Sequence, residues 1–307
     1  MKTTFILDFT SYDEFKRHFS TERRCVKYLE KRFWNGRVKS PFAPKAKVYR
    51  LGLGKYRCGV TGKDFSIRYN TIFAGSKVPL VKWFNAIYLL CSFKKGINSI
   101  QLAEMLKIEQ KTAWRMSTLI RKYLFKVILT EKFDGEVEVD ETFVGGKNKN
   151  RHWDKKVPRC QGRSFKDKTP VLGILERNGW VVCKVLKDTT YKSLTAPILK
   201  AVKKDAKAVY SDEWGGYRTI HKVYNHCVVD HGHGIYVNGG AYTNTIEAFW
   251  SNYCKRPLVC TYNKVSKKKL QLYFNEFSFR YNHRKVNGIK RFEIALTQCV
   301  LGDGQVK

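Results

Sequence analysis

The sequence predicts an α/β protein: a mixed sheet flanked by helices, preceded by a small β-hairpin segment and a three-helix segment. Three observations carry the α/β part. Val137 and Val139 alternate with Glu136 and Glu138, the period-two pattern of a half-buried strand, and the run delivers Asp140-Glu141 into a glycine-ended turn. A second strand-like run, 206–213, ends in the same way on Asp212. Residues 243–251 then read as the start of a helix that carries Glu247. Two strand-end aspartates and one helical glutamate can converge on one point. Carboxylates brought together repel one another unless a cation sits between them.

Composition narrows the partners. The chain has 307 residues, suits two domains or one domain with an N-terminal extension, and is 43% hydrophobic, which is enough to build a core. Its formal net charge of +33 is a statement about partners, and polyanions, nucleic acid first, are the natural ones. No apolar run is long enough to span a bilayer, and the first ten residues turn polar too soon for a secretory signal. Nine cysteines without paired spacing imply reduced thiols. The expectation is a cytoplasmic, nucleoid-associated protein with no membrane partner.

Taken in order, Tyr12–His18 and Cys25–Phe33 read as short helices in a basic, weakly patterned region. Residues 47–54 and 55–58 form a hairpin closed by glycines, and 64–69 a further strand. Pro79 opens a helix in which Leu80, Trp83, Phe84, Ile87 and Leu90 recur at helical spacing until Gly96. Ser99 is placed to cap a second helix burying Leu102, Ala103 and Leu106. After a break at 107–109, a third helix from Gln110 buries Ala113, Met116, Ile120 and Leu124 and displays Lys111, Arg115, Thr118 and Lys122. A tight break before a basic helix makes a helix-turn-helix candidate, although the turn lacks the usual glycine. The bland alternative is a bundle that only packs.

From Asp134 the pattern changes to strands. The basic stretch after Gly146 includes Lys147, Lys149 and Arg151, and leaves directly from the strand that bears Asp140. It reads as a phosphate-facing flap or as a solvated loop. Residues 170–176 and 180–186 form a hairpin turned at Asn178-Gly179. A helix capped by Ser193, the Asp212 strand, a short strand at 227–230 and two helices, Asn244–Lys255 and Lys267–Tyr281, follow. On the first of these, Ile246, Phe249, Trp250 and Tyr253 share one face, and Asn244, Glu247, Ser251 and Lys255 share the other. His231 and His233 beside Asp230 read as polar loop residues, with a phosphate or scissile-strand contact favoured over a metal site.

Strand-Asp, hairpin, helix, strand-Asp, helix-Glu is the order of the ribonuclease-H-like nucleotidyl transferases. With Val139-Asp-Glu-Thr-Phe-Val-Gly-Gly-Lys147, Tyr210-Ser-Asp-Glu-Trp-Gly-Gly-Tyr217, Asn244-Thr-Ile-Glu-Ala-Phe-Trp-Ser251 and 274–284 in that order, the chain resembles the ISXO-type DDE transposases, the insertion-sequence group related to Merlin elements. The resemblance covers about 135–285 and extends upstream through 71–77 and 111–116. It implies a ribonuclease-H-like catalytic domain at 131–307, a helix-turn-helix at 78–130 and a zinc-ribbon-like region at 1–77. It also implies an enzyme that cuts element ends at terminal inverted repeats and joins them to target DNA. That enzyme would use Mg²⁺ or Mn²⁺ and work as a homo-oligomer on the DNA.

Asp140 and Asp212 then correspond to the first two catalytic and metal-binding acids, and Lys255 to the group's trailing lysine. Glu247 is the third, with Asn244 competing because some members use Asn. Lys111, Arg115, Lys122, Lys147, Lys149, Arg151, Lys255 and Arg256 are the expected DNA contacts. The ribbon departs from the family: Cys58 stands where one cysteine pair begins, Thr61 occupies its partner position, and residues 40–43 contain no cysteine. Structural zinc needs four N or S ligands, so this region is expected to hold no zinc. Two other functions share these residues: a nuclease that cuts without joining, and a domesticated DNA-binding regulator.

Overall fold

A computed structural model describes residues 7–8, 11–124, 131–146, 148–158, 160, 164, 167–229 and 242–301. In chain order the elements are α1 (Tyr12–His18), α2 (Glu22–Trp34), β1 (Val48–Gly52), β2 (Lys55–Cys58), β3 (Asp64–Ser66), α3 (Leu80–Ser92), α4 (Ser99–Leu106) and α5 (Gln110–Leu124). Then come β4 (Glu136–Val144), β5 (Thr169–Glu176), β6 (Val181–Val185), α6 (Tyr191–Ala201), β7 (Ala208–Asp212) and β8 (His226–Val229). The chain finishes with α7 (Asn244–Phe249), a π-helical turn (Trp250–Lys255), α8 (Arg256–Cys260), α9 (Leu270–Asn282) and α10 (Gly288–Leu301). These fall into two units: Met1–Leu124 with Arg284–Lys307, and Phe125–His283.

The first unit is built around aromatic side chains. Phe15 and Phe19 of α1 and its C-cap, Phe84 of α3 and Phe292 of α10 meet with ring centroids 4.8–5.7 Å apart. Offset and edge-on pairs at such distances add to the burial of their large apolar area. Glu293, buried beside Phe292, accepts hydrogen bonds from the Tyr28 hydroxyl at 2.6 Å and the Leu7 amide at 3.4 Å. Helix α10 is not among the expected elements, the last of which ends at Tyr281, and everything after 131 was expected in the catalytic part. The structure places α10 in the first unit, because its apolar stripe completes that unit's core.

Helices α3 to α5 form where the periodicity predicts them, with Ala113, Met116 and Ile120 buried; the Leu124 side chain lies outside the described residues. The cap of α4 is Asn98, one residue before the expected Ser99; its Oδ1 accepts from the amides of Ile100 and Gln101. Lys107 makes the glycine-less turn by adopting φ 49° and ψ 61°, and its amide and that of Ile108 close the end of α4. That left-handed conformation is the one glycine usually supplies.

Strands β1, β2 and β3 make an antiparallel sheet in that order. The positions that the resemblance gives to zinc ligands do converge: the Ser40 and Thr61 hydroxyls hydrogen-bond the Cys58 sulfur and lower its pKa to about 7. Cys25 is elsewhere in the unit, on α2, where its thiol donates to the Phe19 carbonyl.

The second unit is a five-stranded mixed sheet in the order β6-β5-β4-β7-β8. Strands β6, β5 and β4 are antiparallel; β4, β7 and β8 run parallel. One face packs on α6, with Val137, Val139, Leu172, Ile174, Leu194 and Ile198 in its core. The other packs on α7, the π turn and α9, through Val171, Leu175, Ile246, Phe249, Trp250 and Phe274. Helix α6 begins at Tyr191 after Thr190, not at Ser193. Both faces of β4 are therefore covered, and Glu138, expected on a wet face, is fully buried. Burying a carboxylate is costly unless it is paired, and Glu138 is paired: Arg177 Nε donates to its Oε1 at 2.8 Å.

Candidate active site

The register of the parallel pair sets the site. Val137 lies beside Val209 and Glu138 beside Tyr210, the last paired position. Two residues further along each strand come Asp140, in the middle of β4, and Asp212, the last residue of β7, so the two acids lie on adjacent strands just past their pairing. Carboxylate oxygens of Asp140, Glu141 and Asp212 all lie within 4.8 Å of one another, the one group of three or more His, Cys, Asp or Glu placed to hold a metal among the described residues. Glu141 and Asp212 are each 9% exposed. Oxygen donors from carboxylates on rigid strands suit a hard divalent cation. Tyr217 registers the same field: burial first, then the charges of Glu141, Asp140 and Asp212, push its phenol pKa well above the ordinary value.

Each aspartate is held. Asp212 Oδ1 accepts from the Trp214 amide at 3.1 Å in the turn after β7. Asp140 Oδ2 accepts from the Trp250 indole N–H at 2.9 Å. Glu247 approaches from α7, whose first turn is bound to the sheet. Glu138 Oε2 accepts from the Ile246 amide at 2.8 Å. Arg177 donates to Glu136 at 2.8 Å and to the Tyr242 carbonyl at 2.7 Å. Its guanidinium also lies over the rings of Tyr210 and Tyr242, 4.1 and 3.6 Å from their centroids. Burial opposes the Arg177 charge, but Glu138 and Glu136 outweigh it and raise its pKa. Thr243, the residue before α7, donates from Oγ1 to Glu247 Oε1 at 3.3 Å.

Asp140, Glu141, Asp212, Glu247, Trp250 and Lys255 line one open cleft of about 640 Å³. Asn244 is exposed at the first helical position and is not among the residues lining that cleft; Thr243, not Asn244, occupies the N-cap. Glu247 and Lys255 are eight positions apart, which on an α-helix at ~100° per residue puts them about 80° apart round the axis. The π turn advances less per residue and brings Lys255 back toward Glu247.

Of the expected DNA contacts, Lys111, Arg115 and Lys122 lie exposed on one face of α5, and Lys149, Lys255 and Arg256 are exposed in the second unit. Arg151 instead donates to the Asp167 carbonyl at 3.1 Å. Lys147, and Asp230 with His231 and His233, lie outside the described residues. Sequence reasoning did not assign Glu141 or Trp250 to the site. Glu141 was visible as the neighbour of Asp140. Trp250 has the spacing of a core aromatic, which it also is.

Comparison with known proteins follows this geometry. Residues 132–282 match the ISXO2-like transposase domain family. The chain is 26% identical over 275 residues, 85% of its own length and 91% of the relative's, to an uncharacterized protein in transposable element ISH50 of Halobacterium salinarum. Among solved structures it is similar to the Mos1 strand transfer complex, at 14% identity over 66% of this chain and 73% of that one, with a TM-score of 0.28. It is also similar to the Mos1 transposase paired-end complex with left transposon end, at 15% identity, 66% and 74% coverage and a TM-score of 0.27. Superpositions that loose carry no argument. The family match and the relative do: residues 132–282 are similar to the ISXO2-like transposase domain family, and the chain as a whole to a protein of a transposable element.

Proposed function

We propose that the protein is a DDE transposase that cuts the ends of its own insertion sequence and joins the 3′-hydroxyl ends to target DNA. The observation that carries this is the cleft in which Asp140, Glu141 and Asp212 converge while Glu247 and Lys255 reach in from a neighbouring helix. The strand order, with an acid on each of the two central parallel strands just past their pairing, supports a ribonuclease-H-like catalytic unit.

Asp140, Asp212 and Glu247 are the residues that would hold the divalent cations, Mg²⁺ or Mn²⁺, with Glu141 near enough to share the work. A pair of such ions, when bound, activates the attacking oxygen and stabilises the leaving one in phosphodiester chemistry. The chain's own residues supply the frame. The Trp214 amide fixes Asp212, Thr243 holds Glu247, and the Lys255 ammonium is placed to orient a phosphate. Charge favours Glu247 over Asn244 as the third residue, since an anionic oxygen binds a hard cation better than an amide oxygen.

End recognition is assigned to the first unit, through Lys111, Arg115 and Lys122 on α5, with phosphates tracked by Lys149 and Arg256 in the second. The protein would work as a homo-oligomer on the DNA. Among the described residues no helix is long and apolar enough to cross a membrane.

The test is strand cleavage and joining by the full chain on DNA carrying the element's terminal repeats. Asp140→Asn and Asp212→Asn should bind the repeats normally and neither cut nor join. Repeat binding should weaken steeply with salt, because phosphate contacts release counterions. Cleavage by either variant near the wild-type rate overturns the assignment. Cutting without joining, with an assembled complex and target DNA present, would make the protein a nuclease instead.

A further inference from the structure

Gly173, Trp250 and Asp140 form one mechanical unit. Gly173 on β5 is the cross-strand partner of Asp140 on β4. A Cβ at Gly173 would lie 2.5 Å from Trp250 Cζ2 and 2.7 Å from Cη2, so the indole rests directly on the glycine backbone. The ring is 2% exposed and is held from its other sides by Phe249 and Phe274, with centroids 5.1 and 6.0 Å away. With every side occupied, the indole N–H is aimed at a single acceptor, Asp140 Oδ2, 2.9 Å distant.

From this we infer that Trp250 is the positioning residue of the Asp140 carboxylate. The inference rests on the reading of Asp140 as a cation-binding group. Glu138 and Asp140 share a face of the strand; Glu138 is met by a guanidinium and Asp140 by an indole. A neutral N–H fixes one oxygen and the rotamer while leaving the carboxylate its charge. Partners of this kind orient metal ligands and tune their basicity. Trp250 lies three residues after Glu247 on the same helical run, so one hydrogen bond also ties the helix of the third acid to the strand of the first.

The test measures Mn²⁺ binding to the full chain without DNA by titration calorimetry. Trp250→Phe keeps an aromatic ring and removes the donor; it should weaken Mn²⁺ binding about tenfold. Gly173→Ala, which displaces the indole, should do the same. Asp140→Asn should lose the site. A second measurement needs no tryptophan variant: the Trp250 indole proton resonance of the wild-type chain should shift on adding Mg²⁺, and that response should vanish in Asp140→Asn. Wild-type affinity in Trp250→Phe, or an indole resonance indifferent to Mg²⁺, overturns the positioning role while the reading of Asp140 stands. Undiminished Mn²⁺ binding by Asp140→Asn would overturn that reading itself.

Discussion

The two ends of the pairing between β4 and β7 treat negative charge in opposite ways. At the entry to β4, Asp134 pairs with Lys203, Glu136 with Lys207 and Arg177, and Glu138 with Arg177. Lys203 holds Asp134, and Lys207 with Arg177 holds Glu136, below the ordinary carboxylate range. At the exit, Asp140 and Glu141 are gathered with Asp212, acid against acid. The entry uses charge to fix the sheet and dock a helix. The exit brings three carboxylates within reach of one cation. Five acids lie within eight residues of chain, and only their company tells the structural ones from the site.

Substitutions at the two ends should therefore separate activity from stability. The largest effect is expected from Asp140→Asn, about a thousandfold or more in cleavage rate, since several kcal/mol of charge stabilisation go with the metal. Arg177→Met, at the other end, should lower unfolding free energy by roughly 3–5 kcal/mol, because Glu138 is left buried without its partner. Urea melts showing wild-type stability for Arg177→Met would remove the contrast. Next comes the helix between the ends: in cleavage assays across a Mg²⁺ titration, Glu247→Gln should be inactive or rescued only at high metal, while Asn244→Ala retains activity. The reverse ranking would move the third role to Asn244. The smallest, away from the strand, is Lys107→Gly, expected to stabilise the first unit by about 0.5–1 kcal/mol by removing a Cβ from a left-handed turn. Thermal melts of that variant check it.

Periodicity made most of the elements legible, because Val137 and Val139, or Leu80, Trp83, Phe84 and Ile87, report their own faces locally. The acids of the cleft were legible too, Asp212 at the end of a strand and Asp140 beside Glu141 ahead of a glycine-ended turn. Three things were not. Alternation in β4 suggested one wet face, but what covers Glu138 is a helix more than a hundred residues later and an arginine beyond the next hairpin strand. No local pattern encodes either. The π turn that brings Lys255 toward Glu247 depends on packing of Trp250 and Cys254, and regular helical spacing extrapolates straight past it. Helix α10 is different in kind: Ile289, Phe292, Leu296 and Cys299 carry a helical stripe that could have been read, and all four are buried. What could not be read was its destination.

That destination has a consequence for how the chain is made. Translation completes Phe125–His283 before it reaches α10, whereas the first unit lacks Phe292 and Glu293 until that helix is made. At a synthesis rate of about 5–20 residues per second, the unit begun first is finished last, with its aromatic core waiting many seconds for its final ring. The unit proposed to read element ends would thus mature only after the unit proposed to cut. A nascent or truncated chain would carry a formed acidic cleft together with an unfinished first unit, and loss of the C-terminal helix would be felt at the opposite end of the sequence.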